Sequence, residues 1–306
     1  MEKCVFGVDI GINSVNVGLF SEDIELIEKW VIPWDKRHKS ESVLPYLSQF
    51  IKDKAQGKEI KSVGLSVAGP VINNSVVLDY KEQGFGSADI KIAFEKMTGY
   101  DTYVINDANA AALGEMIEES RANGFNNAFF ISVGKSIGGA VISKGEIITG
   151  FSGSAGEIGH IIINPFETER CRCGRCGCLE QYVSLSGIIK YANTLKLNRM
   201  ETKLGNMFTI KDIALLAEKG DPLCSKVVEF TGFNIGLALS MASNIFDPEV
   251  IILSGGVIDA GENIVNSVIN NYRKYAYKDS VNAEIITSKA KENAGIFGAA
   301  KFASSF

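Results

Sequence analysis

A chain of 306 residues with 46% hydrophobic side chains can bury a substantial core, and that length sits more easily in two domains than in one. The formal charge of −5 and pI near 5.3 offer no basic field for nucleic acid, and no apolar run approaches the roughly 20 residues a bilayer span needs. With only 6 prolines, no low-complexity tail, and Asp9 interrupting the first apolar stretch, the chain reads as a cytoplasmic protein without a signal peptide, its domains joined by ordered chain.

Residues 5–20, V-F-G-V-D-I-G-I-N-S-V-N-V-G-L-F, predict a strand, a polar glycine turn and a second strand. Near residue 42, S-V-L-P-Y-L-S-Q-F-I has the spacing of a helix packed on a sheet. In residues 103–115, Y-V-I-N-D-A-N-A-A-A-L-G-E, a short β-branched strand meets Asn106 and Asp107 and then an alanine-rich helix. Either residue would cap that helix whether or not it did chemistry. A carboxylate there is also placed to accept the proton of an attacking hydroxyl, as the catalytic aspartate of a phosphoryl transferase does.

The first unit returns 123 residues further on as A-F-F-I-S-V-G-K-S-I-G-G-A-V-I, residues 128–142, with Gly134 in the place of Gly11 and Ser132 in that of Asp9. One hairpin alone needs its glycines only for turn geometry. The repetition suggests a duplicated architecture whose two turns present backbone N–H groups to phosphate, facing one another across a cleft. A Walker A loop is excluded, because Phe129 stands where its first glycine belongs, and no G-x-G-x-x-G joins a strand to a helix.

Next comes H-x10-C-x-C-x4-C, formed by His160, Cys171, Cys173 and Cys178 and flanked by Glu157 and Glu180. Three thiols and an imidazole make a soft tetrahedral set suited to Zn²⁺, and Gly174 and Gly177 let the chain curl. A disulfide or inert core thiols are the alternatives, less suited to a reducing compartment. Cys176 could replace Cys171 or Cys173. Four protein ligands leave no open position, so the ion is expected to be structural, holding a loop that carries both carboxylates. Near residue 232, G-F-N-I-G-L-A-L-S-M-A reads as another core helix. Residues 247–262 read as a strand running into Gly255-Gly256, where small residues permit close approach of a ring or ribose, or simply tight packing.

These motifs resemble the ROK family (repressors, open reading frames and sugar kinases), most closely its bacterial glucokinases. The likeness runs through V-D-I-G near residue 8, G-L-S-V-A-G-P-V at 64–71, N-D-A-N-A-A-A-L-G-E at 106–115 and S-I-G-G at 136–139. It continues through A-G-E-I-G-H at 155–160, C-x-C-G-x-x-G-C-L-E at 171–180, S-G-G-V at 254–257 and N-A-G-I-F-G-A-A at 293–300. The resemblance implies an α/β, actin-like (ribonuclease H-like) fold of two lobes, ATP and Mg²⁺ in the cleft, phosphoryl transfer to a hexose, and a homodimer. Glucose is the first expected substrate, with an N-acylaminohexose or fructose as alternatives.

By position, Asp107 then matches the catalytic base, and Asn106, Glu157, His160, Glu180 and Gly69 match the sugar site. Asp9, Gly11 and Asn13 match the first phosphate hairpin; Gly134, Lys135, Gly138 and Gly139 the second; Gly255 and Gly256 the adenosine site. His160, Cys171, Cys173 and Cys178 match the zinc ligands, and Cys176 falls on a variable position. The lobes are expected at residues 1–108 plus 293–306 and at 109–292, the zinc loop spanning 157–180. Ile12 and Asn13 depart from the family's D-I-G-G-T, Lys135 and Ser136 from its G-T-G-I-G-G, and Glu82 stands where an asparagine is usual. Those departures favour, as a second reading, a sugar-binding protein that has lost transfer. A repressor is the third, disfavoured because the first strand begins within a few residues of Met1.

Overall fold

The computed structural model describes residues 3–11, 14–34, 43–80, 86–117, 122, 124–290 and 293–306. It divides into two compact units, Met1–Gly124 with Ile147–Ala155 and Lys289–Phe306, and Phe125–Glu146 with Gly156–Ser288.

The first unit is built on a five-stranded sheet ordered β3-β2-β1-β4-β8, comprising β1 (Lys3–Ile10), β2 (Ser14–Ser21), β3 (Leu26–Pro33), β4 (Glu59–Val67) and β8 (Thr102–Asn106). β1 is antiparallel to β2 and parallel to β4. Covered on both faces, β1 reads as a continuous apolar run from Cys4 to Val8. One cover is α1 (Val43–Lys54), the helix expected near residue 42, which buries Leu47 and Ile51 against Phe6 and Val8. A small antiparallel sheet of β5 (Val71–Ile72), β6 (Val76–Tyr80) and β7 (Gly86–Asp89) leads into α2 (Ile90–Thr98), capped by Asp89.

α3 (Asp107–Glu115) packs closely on α9 (Ala294–Ser304): a Cβ on Gly298 would sit 1.7 Å from the Ala110 carbonyl oxygen, so no larger residue fits there. Both oxygens of buried Glu115 accept backbone N–H bonds, from Lys289 and Ala290, tying the far end of α3 to the segment before α9. This contact explains why α3 groups with the first sheet, although the sequence reading drew the lobe edge at residue 108.

The second unit repeats the topology. Its sheet runs β11-β10-β9-β12-β13, from β9 (Ala128–Val133), β10 (Ile137–Ser143), β11 (Glu146–Ile147), β12 (Val250–Ser254) and β13 (Glu284–Thr287). β9 is antiparallel to β10 and parallel to β12, as β1 is to β2 and β4. The duplication inferred from the two glycine turns is therefore carried through both sheets. The turns differ by one residue: pairing of Ile10 with Val15 encloses four residues, and pairing of Val133 with Ile137 encloses three.

Helices α4 (Glu180–Val183), α5 (Leu185–Leu197), α6 (Ile210–Glu218), α7 (Pro222–Phe246) and α8 (Glu262–Tyr275) complete the second core. The 25-residue α7 contains the helix expected near residue 232 and is capped by Asp221, with Pro222 as its first helical residue. Among the described residues, no helix is long and apolar enough to cross a membrane.

Candidate active site

In the first unit, the corner between β8 and α3 presents the candidate base. Asn106 closes β8 in an extended conformation and caps α3, its side-chain oxygen accepting from the Asn109 N–H at 3.1 Å. Its amide donates to the Gly69 carbonyl at 3.0 Å and to Asp107 Oδ1 at 3.1 Å. Gly69 lies at φ +101°, a conformation that favours glycine, and this turns its carbonyl to Asn106. Asp107 Oδ1 also accepts from the Ala108 N–H at 2.8 Å, and the residue is exposed at the positive end of the helix. The alternative that Asp107 is merely the cap loses its main ground, because Asn106 fills that role.

Asp9 lies near the end of β1. Its Oδ1 accepts from Ser66 Oγ at 2.7 Å, and its carboxyl group lies against Gly295 in the first turn of α9. Burial pushes its pKa up, against hydrogen bonds from Ser66 and Asn16 that lower it. Gly11 opens the turn, donating to the Ser14 carbonyl at 3.0 Å. Asn13, Ile12 and Glu82 lie outside the described residues.

The raised Asp9 pKa has a stability consequence. The native chain holds this proton at pH values where the unfolded chain, with a pKa of about 3.9, has lost it. The stabilising contribution is complete below that value and is lost as pH rises through the native pKa. Denaturant titrations from pH 4 to 8 are therefore expected to show wild type losing stability relative to Asp9→Asn as pH rises; a constant difference would contradict the shift.

In the second unit, the three-residue turn holds Gly134, Lys135 and Ser136. The Gly134 N–H donates to the Ser136 carbonyl at 3.0 Å, and its own carbonyl accepts from Leu185 N at 2.8 Å, at the head of α5. Gly138 and Gly139 lie inside β10. A Cβ on Gly139 would stand 2.3 Å from the Gly156 carbonyl oxygen, so the backbone of A-G-E-I-G-H lies directly on the strand. At the end of β12, Gly255 has φ +96° and a Cβ there would meet the Val133 carbonyl at 2.5 Å; Gly256 has nothing within 4 Å of its own. Gly255 thus serves packing, and Gly256 leaves open space.

Glu157 leads into a single 3-10 turn, Ile158–His160, its carbonyl accepting from the His160 N–H at 3.1 Å. Its carboxyl pKa is raised, first by burial and less by Glu180, while His160 opposes. Glu180, 6% exposed, begins α4. Its Oε2 accepts from Ile137 N at 3.1 Å, and its Oε1 from Arg172 Nε and Nη2 at 3.3 and 3.0 Å.

The donor atoms of His160, Cys171, Cys173 and Cys178 all lie within 4.8 Å of one another. Cys171 Sγ is 3.8 Å from His160 Nδ1 and Cys173 Sγ 3.6 Å from Cys178 Sγ. The edges of a tetrahedral S₃N zinc site are about 3.6–3.8 Å, so the donor set and its spacing fit that ion. Cys171 N donates to the Arg175 carbonyl at 2.7 Å and Gly174 N to the Cys171 carbonyl at 2.9 Å, closing a tight knuckle. Cys176 Sγ points instead to the Thr168 carbonyl at 3.6 Å, apart from the four gathered donors. For Cys173, desolvation is the largest single influence and raises the pKa, but hydrogen bonds from Arg175, Cys178 and Cys171 together lower it to about 7. A thiol so placed gives up its proton readily to a metal.

Sequence reasoning missed Ser66, which anchors Asp9, and Arg172, which reaches Ser136, already noted as a departure in the second hairpin, at 2.8 Å beside Glu180. The only available signal was the cation between two ligand cysteines.

The ROK family profile matches residues 5–305, and the chain belongs to that family. A glucokinase of Halalkalibacterium halodurans is 28% identical over 97% of this chain and 94% of its own length. The xylose repressor of Bacillus subtilis is 25% identical over 95% of this chain and 74% of its own. A ROK family glucokinase from Streptomyces griseus, solved with glucose and AMPPNP, superposes with a TM-score of 0.78 at 26% identity, covering 99% of this chain and 100% of that one. The chain has the actin-like two-lobe α/β fold of ROK sugar kinases.

Proposed function

We propose that this chain is an ATP-dependent sugar kinase that transfers a phosphoryl group to a hexose hydroxyl. Glucose is the first substrate to consider, with N-acylaminohexoses and fructose as alternatives. The observation that carries the reading is the corner at Asn106 and Asp107: Asn106 supplies the helix cap, and Asp107 stands exposed beside it at the head of α3.

In this role Asp107 orients the attacking hydroxyl and takes its proton late, while Asn106, Glu157, His160 and Glu180 bind the other sugar hydroxyls. His160 turns Nδ1 toward Cys171, which leaves Nε2 for the sugar. The turn amides after Gly134, with the Lys135 ammonium, serve the phosphates, and the open space at Gly256 admits the nucleoside. Mg²⁺ arriving with the nucleotide would supply neutralisation of the phosphate charge. His160, Cys171, Cys173 and Cys178 would hold Zn²⁺, and the ion would supply a cross-link to the loop that carries Glu157 and Glu180.

The test is ADP release with Mg·ATP across a panel of hexoses. Turnover on one of them is the expected result. Sugar binding by calorimetry without ADP release would instead identify a relative that binds sugar and has lost transfer.

A further inference from the structure

We propose that Arg172 is a positioning residue that couples the metal loop to the nucleotide hairpin, so that ATP affinity depends on a side chain between two metal-ligand cysteines. The proposal rests on the kinase reading above, which assigns the Gly134–Gly139 segment to phosphate.

Arg172 projects from the knuckle closed by the Cys171–Arg175 and Gly174–Cys171 backbone bonds, so its Cα is held by the same fold that gathers the four donors. Its guanidinium then spans two partners. Nη2 donates to Ser136 Oγ at 2.8 Å, inside the three-residue turn, and Nη2 and Nε donate to Glu180 Oε1 at 3.0 and 3.3 Å. The other Glu180 oxygen accepts from Ile137 N, the residue after Ser136. Arg172, Ser136, Ile137 and Glu180 therefore close a ring that joins the knuckle to one end of the hairpin turn. At the other end of that turn, Gly134 is fixed through Leu185.

The chemistry of the ring requires arginine. Glu180 is buried, and a buried carboxylate needs a charged partner. A planar fork can hold that carboxylate and a hydroxyl at once; an ammonium on a flexible stem is a point charge and cannot fix both. Loss of the fork frees Ser136 to turn away, and the turn amides lose the geometry set by it.

Binding of Mg·AMPPNP and of the turned-over sugar would be measured calorimetrically for wild type, Ser136→Ala, Arg172→Ala and the double variant, with zinc content determined on each. We expect Arg172→Ala to keep its zinc and to bind nucleotide about tenfold more weakly. Ser136→Ala should lose nucleotide affinity to a similar degree while keeping sugar affinity. The double variant should be no worse than Arg172→Ala, because both remove one connection. If Arg172→Ala does not fold, Arg172→Lys replaces it, with the same nucleotide loss expected and sugar affinity retained. Wild-type nucleotide affinity in the Arg172 variant, or single effects that multiply in the double, would overturn the proposal. Absence of Mg·AMPPNP binding in the wild type itself would remove the kinase reading and this inference with it, an outcome distinct from either.

Discussion

Asp107→Asn is expected to retain fold and sugar affinity and to lose turnover by roughly 10²–10⁴-fold, the usual contribution of a general base. The substitution is nearly isosteric. The oxygen that accepts from Ala108 N and Asn106 Nδ2 can remain an amide oxygen, so the corner keeps both bonds. What disappears is the capacity to take a proton. An exposed site away from the core predicts a stability change within about 0.5 kcal/mol. Loss of a charge at a helix N-terminus adds a further penalty of about 0.3–1 kcal/mol at most. If Asp107 served only the helix, the variant would show that small stability loss with unchanged kcat. Steady-state kinetics alongside calorimetric sugar binding separate the two, and wild-type turnover would remove Asp107 from the mechanism.

The second large effect is expected at the four-donor cluster. Cys178→Ser should reduce bound zinc from about one ion per chain to nearly none and lower thermal stability substantially. A ligand that binds only the folded state at a thousand times its Kd stabilises by about 4 kcal/mol. Cys178 is fully buried and its backbone N–H is held by Gln181, so a serine there keeps the backbone position without a thiolate to offer the ion. Cys176→Ser is the control: its thiol faces the Thr168 carbonyl, and metal content and melting temperature should stay at wild-type values. Sugar affinity should fall in Cys178→Ser, because the loop it anchors leads directly into Glu180. Zinc retained by Cys178→Ser, or lost from Cys176→Ser, would contradict the ligand assignment; elemental analysis and thermal melts read both.

The architecture was legible because duplication leaves a local trace. A strand, a glycine turn and a strand recur at V-D-I-G and S-V-G-K, and the two five-stranded sheets built on them share one strand order. Loop length was not legible from the glycine match alone, since register depends on both strands; the second turn is one residue shorter than the first. The lobe edge was equally hidden. α3 joins the first unit through its contact with α9, nearly two hundred residues later, which no local pattern encodes. At the four-donor loop, residue types suggested a metal, but spacing could not say which thiol turns outward. That depended on the knuckle at Cys171–Arg175, as did the direction of Arg172.

Backbone geometry accounts for two glycines that motif matching assigned to ligands. Gly139 and Gly255 sit where another backbone crowds the missing Cβ, whereas Gly256 faces open space. Replacement of Gly255 would therefore disturb packing before it disturbed nucleotide contact.

The most direct measurement is a coupled ADP-release assay with Mg·ATP on zinc-loaded protein, across glucose, fructose, mannose, N-acetylglucosamine and N-acetylmannosamine. The account predicts saturable turnover on at least one of these sugars, abolished in Asp107→Asn. Folded, zinc-loaded protein that releases no ADP with any of them would contradict it.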